Sequence, residues 1–196
     1  MTELIIATNN QAKLKEIRRL LEGTGIRAMS LTEAGLDISV VEDGGTFEHN
    51  AVKKAVEVAA ASGRMALADD SGIEIDFLGG APGVDSANYL GRDTPYPEKN
   101  ARIVEMLVDA PEGKRGARFV CVAAAAYPNG EYFLERGELI GEIAQNLSGA
   151  GGFGYDPIFY VPQFGKTAAE LSPAEKDSVS HRGVAFRKII DRIKAL

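Results

Sequence analysis

The first apolar run, "ELIIAT" (3–8), gives way at once to "NNQAKLKEIRRLLEGTG", where Leu14, Ile17 and Leu21 recur at helical spacing and Gly23 supplies a stop. The pattern predicts a strand, a tight turn and a helix. "LDISVVED" (36–43) alternates apolar and polar positions as a half-buried strand does. From Thr46, "TFEHNAVKKAVEVAAASG" reads as a helix, with Thr46 as its N-cap and Gly63 as its end. "MALADDSGIEIDFL" (65–78) reads as two strand segments meeting at a turn near Ser71 and Gly72.

The Gly- and Pro-rich stretch 79–97 predicts an irregular loop, and "EKNARIVEMLVDA" a helix. "ARFVCVAAAAY" and "EYFLERGELIGEI" are strands joined by "PNG", a hairpin signal. "GAGGFGYDP" (149–157) is a glycine-rich loop, "PIFYVP" a short strand and "SPAEK" a helical turn. The chain closes on an amphipathic helix with Phe186, Ile189, Ile190 and Ile193 on one face. A βα start, a strand-rich middle and a helical end predict an α/β protein with a mixed sheet. With no internal repeat and no clear linker, residues 1–196 read as one domain.

Composition narrows the class. Apolar residues make up 45% of the 196, enough for a sizeable core, and no low-complexity tract suggests disorder. A net charge of −6 offers a nucleic-acid backbone no general attraction, which weighs against DNA or RNA while leaving room for nucleotides. The single cysteine, Cys121, lies in a strand pattern and reads as an inert core thiol. The N-terminus lacks a basic n-region, and no apolar stretch approaches membrane-spanning length; the expectation is a soluble, cytoplasmic protein with no membrane partner.

Four stretches could carry chemistry. "TNNQAK", Thr8 to Lys13, sits where a strand meets a helix N-terminus, so backbone N–H groups and the dipole favour an anion there, with Lys13 adding charge. Plain capping by Asn9 or Asn10 is the alternative. In "ADDSG" an extended backbone sends Asp69 and Asp70 to opposite faces, so they do not share one site. Both could instead support an Asx-type turn. "GAGGFGYDP" offers close backbone approach, aromatic faces and an aspartate to a planar ring, or is simply a loop. "KDSVSHRG" sets Lys176, His181 and Arg182 just before a helix, against its dipole. An anion would resolve that conflict; a solvated charge cluster is the plainer account. Zinc spacings and nucleophile elbows are missing, leaving a hard-metal carboxylate site with Glu42 and Asp43 as candidates to join Asp70.

Taken together, "ATNNQAK", "ALADDSGIEI", "LGGAPGVDSANYLG", "GAGGFGYDPIF" and "SHRG" resemble, in order and spacing, the non-canonical purine nucleoside triphosphate pyrophosphatases, the inosine triphosphatase family. The resemblance covers nearly the whole chain. It implies two α/β lobes around a long mixed sheet with the site in the cleft between them, a homodimer, and Mg²⁺-dependent hydrolysis of ITP, dITP and XTP to monophosphate and pyrophosphate. Position by position it implies that Thr8, Asn9, Asn10, Gln11, Ala12 and Lys13 meet the triphosphate. Glu42 and Asp70 fall on its metal-binding carboxylates, with Asp70 also its general base and Lys13 aiding catalysis. Lys54 falls near a phosphate-side lysine, and Ser71 on a substrate contact. Phe153, Gly154, Tyr155 and Asp156 fall on the loop that packs on and reads the purine, and Lys176, His181 and Arg182 on further nucleotide contacts. Asn88 stands where many bacterial members have arginine, and His49 where a glutamate is common, with Glu48 beside it as a substitute. A Maf-like pyrophosphatase acting on dTTP, or a nucleotide-binding module without turnover, are the rival readings.

Overall fold

In a computed structural model, which describes residues 2–195, the opening apolar run forms strand β1 (Thr2–Ile6) and helix α1 follows (Gln11–Leu21). Asn10 is the N-cap: its Oδ1 accepts from the backbone N–H of Ala12 and Lys13 at 3.0 and 3.1 Å, satisfying donors the first helical turn leaves open. The chain returns as β2 (Ile26–Ser30), parallel to β1. Helix α2 (Phe47–Ser62) begins at Thr46, whose Oγ1 accepts from the His49 amide at 3.1 Å, and ends at a left-handed Gly63, as its sequence predicts. Strand β3 (Ala66–Ile75) pairs parallel with β1.

Helix α3 (Tyr96–Met106) precedes strands β4 (Gly116–Ala126) and β5 (Tyr132–Ile143). The turn between these strands is closed by Tyr127 N–H donating to Glu131 O at 2.8 Å. Short strands β6 (Phe159–Val161) and β7 (Lys166–Thr167) add antiparallel pairs. Helices α4 (Pro173–Val179) and α5 (His181–Lys194) end the chain. The seven strands lie in the order β2-β1-β3-β4-β5-β6-β7, a mixed sheet, as expected.

Two expectations are corrected. Residues 36–43 form no strand, and the neighbour of β1 is 26–30 instead. Alternation says which faces a segment has, not whether a partner offers hydrogen bonds; the edge of β1 is taken by the segment that the turn after α1 delivers. Residues 66–75 form one continuous strand, without the turn expected near Ser71 and Gly72. The turn preference of Asp-Ser-Gly is local and weak, whereas fully buried Ile73 and Ile75 and the ladder on this strand hold it extended.

The chain divides into two units. The first comprises the residues up to Asp70, Cys121–Gly137 and the segment from His181 onward; the second comprises Ser71–Val120 and Glu138–Ser180. In the first, Leu4, Ile6, Leu67 and Ala123 pack with Leu14 and Ile17 of α1 and with Phe186, Ile189, Ile190 and Ile193 of α5, the face read from the sequence. In the second, Ile73, Ile75, Ile103 and Tyr155 pack with Phe119 and Phe159, whose rings stack at 4.2 Å.

Candidate active site

Strand alternation sends Asp69 and Asp70 to different company. Asp69, 2% exposed, meets Lys13 Nζ at 3.1 Å and Arg182 Nη2 at 3.0 Å, with the Cys121 thiol 3.8 Å from its Oδ2. Arg182, 1% exposed, also donates through Nη1 to Glu16 Oε2 at 2.7 Å. Asp70 faces α2: its Oδ2 accepts from Asn50 Nδ2 at 3.1 Å, and its Oδ1 lies 3.6 Å from Lys54 Nζ. The Lys54 ammonium also donates to Glu42 Oε1.

These surroundings drive the two neighbouring carboxylates apart. Burial alone would raise the Asp69 carboxyl, but Lys13, Arg182 and Lys54 overcome that and hold it well below the usual carboxylate range. For Asp70 burial wins over the opposing pull of Lys54 and Lys13, so its pKa lies above the ordinary value. Burial would likewise lower the Lys54 ammonium, yet Asp70, Asp69 and Glu42 raise it on balance. The two neighbouring carboxyls are thus displaced in opposite directions, Asp69 downward by its cations and Asp70 upward by burial.

The second unit carries the glycine-rich loop. Asp156 Oδ2 accepts from Phe153 N–H at 2.7 Å and from Lys176 Nζ at 2.6 Å, and that ammonium lies 5.1 Å from the Phe153 ring centre. A Cβ on Gly152, whose φ is +68°, would fall 2.0 Å from Asp156 Oδ2, so only glycine lets this aspartate fold back on its own loop. Buried Tyr155 donates its hydroxyl to Ser86 O at 2.6 Å and meets Tyr96 edge-on at 5.2 Å. Asn100 of α3 donates to Gly154 O at 3.0 Å. Tyr155 and Asp156 therefore brace the loop, and Phe153 and Gly154 are its half-exposed members.

The structure thus gathers Lys13, Glu42, Lys54, Asp70 and Arg182 in the first unit, and Phe153 to Asp156 with Lys176 in the second. In the "TNNQAK" turn, Asn10 caps α1, Thr8 Oγ1 accepts from Asn10 N–H at 3.1 Å, Asn9 Nδ2 donates to Ile38 O at 3.2 Å, Gln11 is exposed and Ala12 half-buried. Ser71 is half-buried on β3 and His181 buried at the start of α5. The charge conflict at α5 is met from within: Glu16 and Asp69 supply the anions for Arg182. Glu48 is paired with Arg136 at 2.8 Å, and Asp43 with Lys53 at 2.7 Å. Asn50, Glu16 and Asn100 escaped the sequence reading. Asn50 lies one helical turn before Lys54 and Glu16 one turn after Lys13, a spacing that could have exposed both.

Glu42 and Asp70 converge on a single cationic centre, the Lys54 ammonium. Two carboxylates with hard oxygen donors suit Mg²⁺, which is held by one or two carboxylates and completes its shell with water and substrate phosphate. Among the described residues no group of three or more His, Cys, Asp or Glu is placed to hold a metal. The donor set fits a sparse, phosphate-completed site.

Fold and site together define a mixed α/β protein with a buried carboxylate–lysine centre and a braced glycine–aromatic loop. The chain belongs to the Ham1 family, whose model matches residues 4–192. It is 45% identical to a dITP/XTP pyrophosphatase of Desulforamulus reducens, over 99% of this chain and 96% of the relative. It is 43% identical to one of Clostridium perfringens, over 100% and 99%. Among solved structures, a HAM1 protein from Coxiella burnetii superposes with a TM-score of 0.90 at 40% identity, covering 100% of both chains. The Staphylococcus aureus Ham1 protein superposes at 0.86 and 36% identity, over 99% of each.

Proposed function

We propose that this protein is a Mg²⁺-dependent pyrophosphatase that hydrolyses dITP, XTP and ITP to the monophosphate and pyrophosphate, and so clears non-canonical purines from the nucleotide pool. The observation that carries this reading is the divergence of adjacent Asp69 and Asp70, one fixed by Lys13 and Arg182, the other poised beside Asn50 and Lys54. The names of the curated relatives, dITP/XTP pyrophosphatases, support the substrate class.

In this mechanism Thr8 to Lys13 and Lys54 take the triphosphate. Asp70 accepts a proton from the attacking water as its oxygen bonds to the α-phosphorus. The bond from that phosphorus to the α–β bridging oxygen breaks, and pyrophosphate leaves with the electron pair. Lys13 and Lys54 stabilise the charge that develops on the phosphates. When bound by Glu42 and Asp70, Mg²⁺ supplies neutralisation and polarisation of phosphate oxygens. Arg182, committed to Glu16 and Asp69, acts by fixing Asp69. Phe153 packs on the purine, and the neighbouring loop residues with Ser71 and Lys176 position the nucleoside. A donor from His181 matches the 6-oxo acceptor of hypoxanthine and xanthine, whereas the 6-amino group of ATP leaves it facing another donor.

The working form is a homodimer in the cytoplasm; among the described residues no helix is long and apolar enough to cross a membrane. The test is incubation with Mg²⁺ and ITP, dITP, XTP, GTP, ATP or dTTP, with pyrophosphate and orthophosphate assayed separately. Pyrophosphate from ITP, dITP and XTP is expected. Orthophosphate as the direct product overturns the cleavage assignment, and a preference for dTTP points to the Maf-like reading.

A further inference from the structure

Lys54 occupies an unusual position for a residue whose task is to bind phosphate. Its ammonium donates to Glu42 and lies 3.6 Å from Asp70, so it satisfies the same two carboxylates that suit a divalent cation. Asn50 adds a second tie: its Nδ2 donates to Asp70 Oδ2 at 3.1 Å, and its Oδ1 accepts from the Gly44 backbone amide at 2.8 Å, two residues past Glu42. The cluster of Lys13, Lys54 and Arg182 with Glu16, Glu42, Asp69 and Asp70 sets three cations against four carboxylates. Its charge is nearly balanced only because Lys54 is turned inward, and a triphosphate brought to it alone adds to the negative side of that balance.

We propose that Lys54 is an exchangeable counter-ion: it holds Glu42 and Asp70 together until a divalent metal takes its place, and the displaced ammonium then swings to the triphosphate. The inference rests on the proposed metal and phosphate roles. It makes metal and triphosphate binding mutually reinforcing, because each favours the outward lysine and the effect is reciprocal by linkage. The Asn50 bracket keeps Asp70 in register with the backbone segment that carries Glu42 while the cation changes.

The probe is Mn²⁺ alone, titrated into the full chain without nucleotide and followed by loss of the free-ion paramagnetic resonance signal. Lys54→Met removes the resident cation and keeps the side-chain bulk; it is expected to bind Mn²⁺ roughly tenfold more tightly than the wild type. Lys54→Arg, which retains the charge, is expected to stay near the wild type. Unchanged or weaker binding by Lys54→Met overturns the exchange. Glu42→Gln separates this from the underlying assignment: if it leaves Mn²⁺ affinity intact, the metal site itself is misassigned. The wild type gives a second readout that needs no variant. Acetylation of Lys54, measured by mass spectrometry, is expected to quicken several-fold when Mn²⁺ frees its amine from the carboxylates, and an unchanged or slower rate refutes the displacement.

Discussion

Asp69 and Asp70 share a peptide bond yet answer to different helices, α1 and α5 for one and α2 for the other. Asp70→Asn is expected to abolish turnover while leaving the urea unfolding midpoint close to that of the wild type. Asp69→Asn takes an anion from half-buried Lys13 and leaves buried Arg182 facing Glu16 but no longer Asp69, so a loss of about 3–5 kcal/mol is expected in the same measurement. Burial and the nearby Asp69 charge push the Cys121 thiol up, well above its ordinary value, so little reactive thiolate forms. Iodoacetamide is expected to spare Cys121 in the folded protein and to label it fully in denaturant. The separation of the two aspartates was legible in the sequence because alternation in a strand is local. The partners of Arg182 were not, since Glu16 stands 166 positions away and nothing local marks the pairing.

At the level of elements, close backbone packing makes sharper demands than propensity. A Cβ on Gly137 of β5 would sit 2.2 Å from the His181 carbonyl oxygen and 2.5 Å from the Ala185 nitrogen, both backbone atoms that cannot rotate away. Gly137→Ala is expected to cost about 1–3 kcal/mol in chemical denaturation by forcing the start of α5 off the strand. Helix α4 depends on a different device. Glu175 accepts from the Ser172 amide at 2.7 Å, and that bond, with the Ser172 hydroxyl, lowers its carboxyl pKa. Glu170 is lowered chiefly by the Thr167 amide. Each folded-state pKa lies below its unfolded value, so the stabilisation is complete above about pH 4.3 and fades as pH falls through the folded pKa. A Glu170→Ala, Glu175→Ala double variant should melt below the wild type at neutral pH, and that gap should close on acidification. Capped helices such as α2 were readable because cap and stop lie within the helix's own sequence. The false strand at 36–43 and the missed one at 26–30 show the limit: a ladder is a property of two segments.

Across the whole molecule, the chain passes between its two units after Asp70, Val120, Gly137 and Ser180. Two of these passages fall inside "ADDSG" and "SHRG", so the motifs that stood out in the sequence stand where the chain changes unit. Mixed α/β character was evident from element order, and the resemblance implied two lobes, but the points of division were not legible, because no change of composition accompanies them. The final passage leads into α5, which carries part of the first unit's core. Truncation after Ser180 removes Arg182, Phe186, Ile189, Ile190 and Ile193, and with them one wall of the first unit's core. Such a protein is expected to be insoluble or to bind a hydrophobic dye and lose its cooperative unfolding transition.

The Glu16–Arg182 pair also dictates a schedule. A chain made from its N-terminus exposes Glu16, Asp69 and the inner faces of β1 and α1 long before α5 has been synthesised. At the roughly 5–20 residues per second typical of translation, that interval lasts many seconds. The first unit, begun earliest, is thus completed last, and a ribosome that stops short of Arg182 releases a chain in which Glu16 and Asp69 have lost the guanidinium they share. Synthesis itself becomes a checkpoint: only chains finished to their last helix can become fully folded protein.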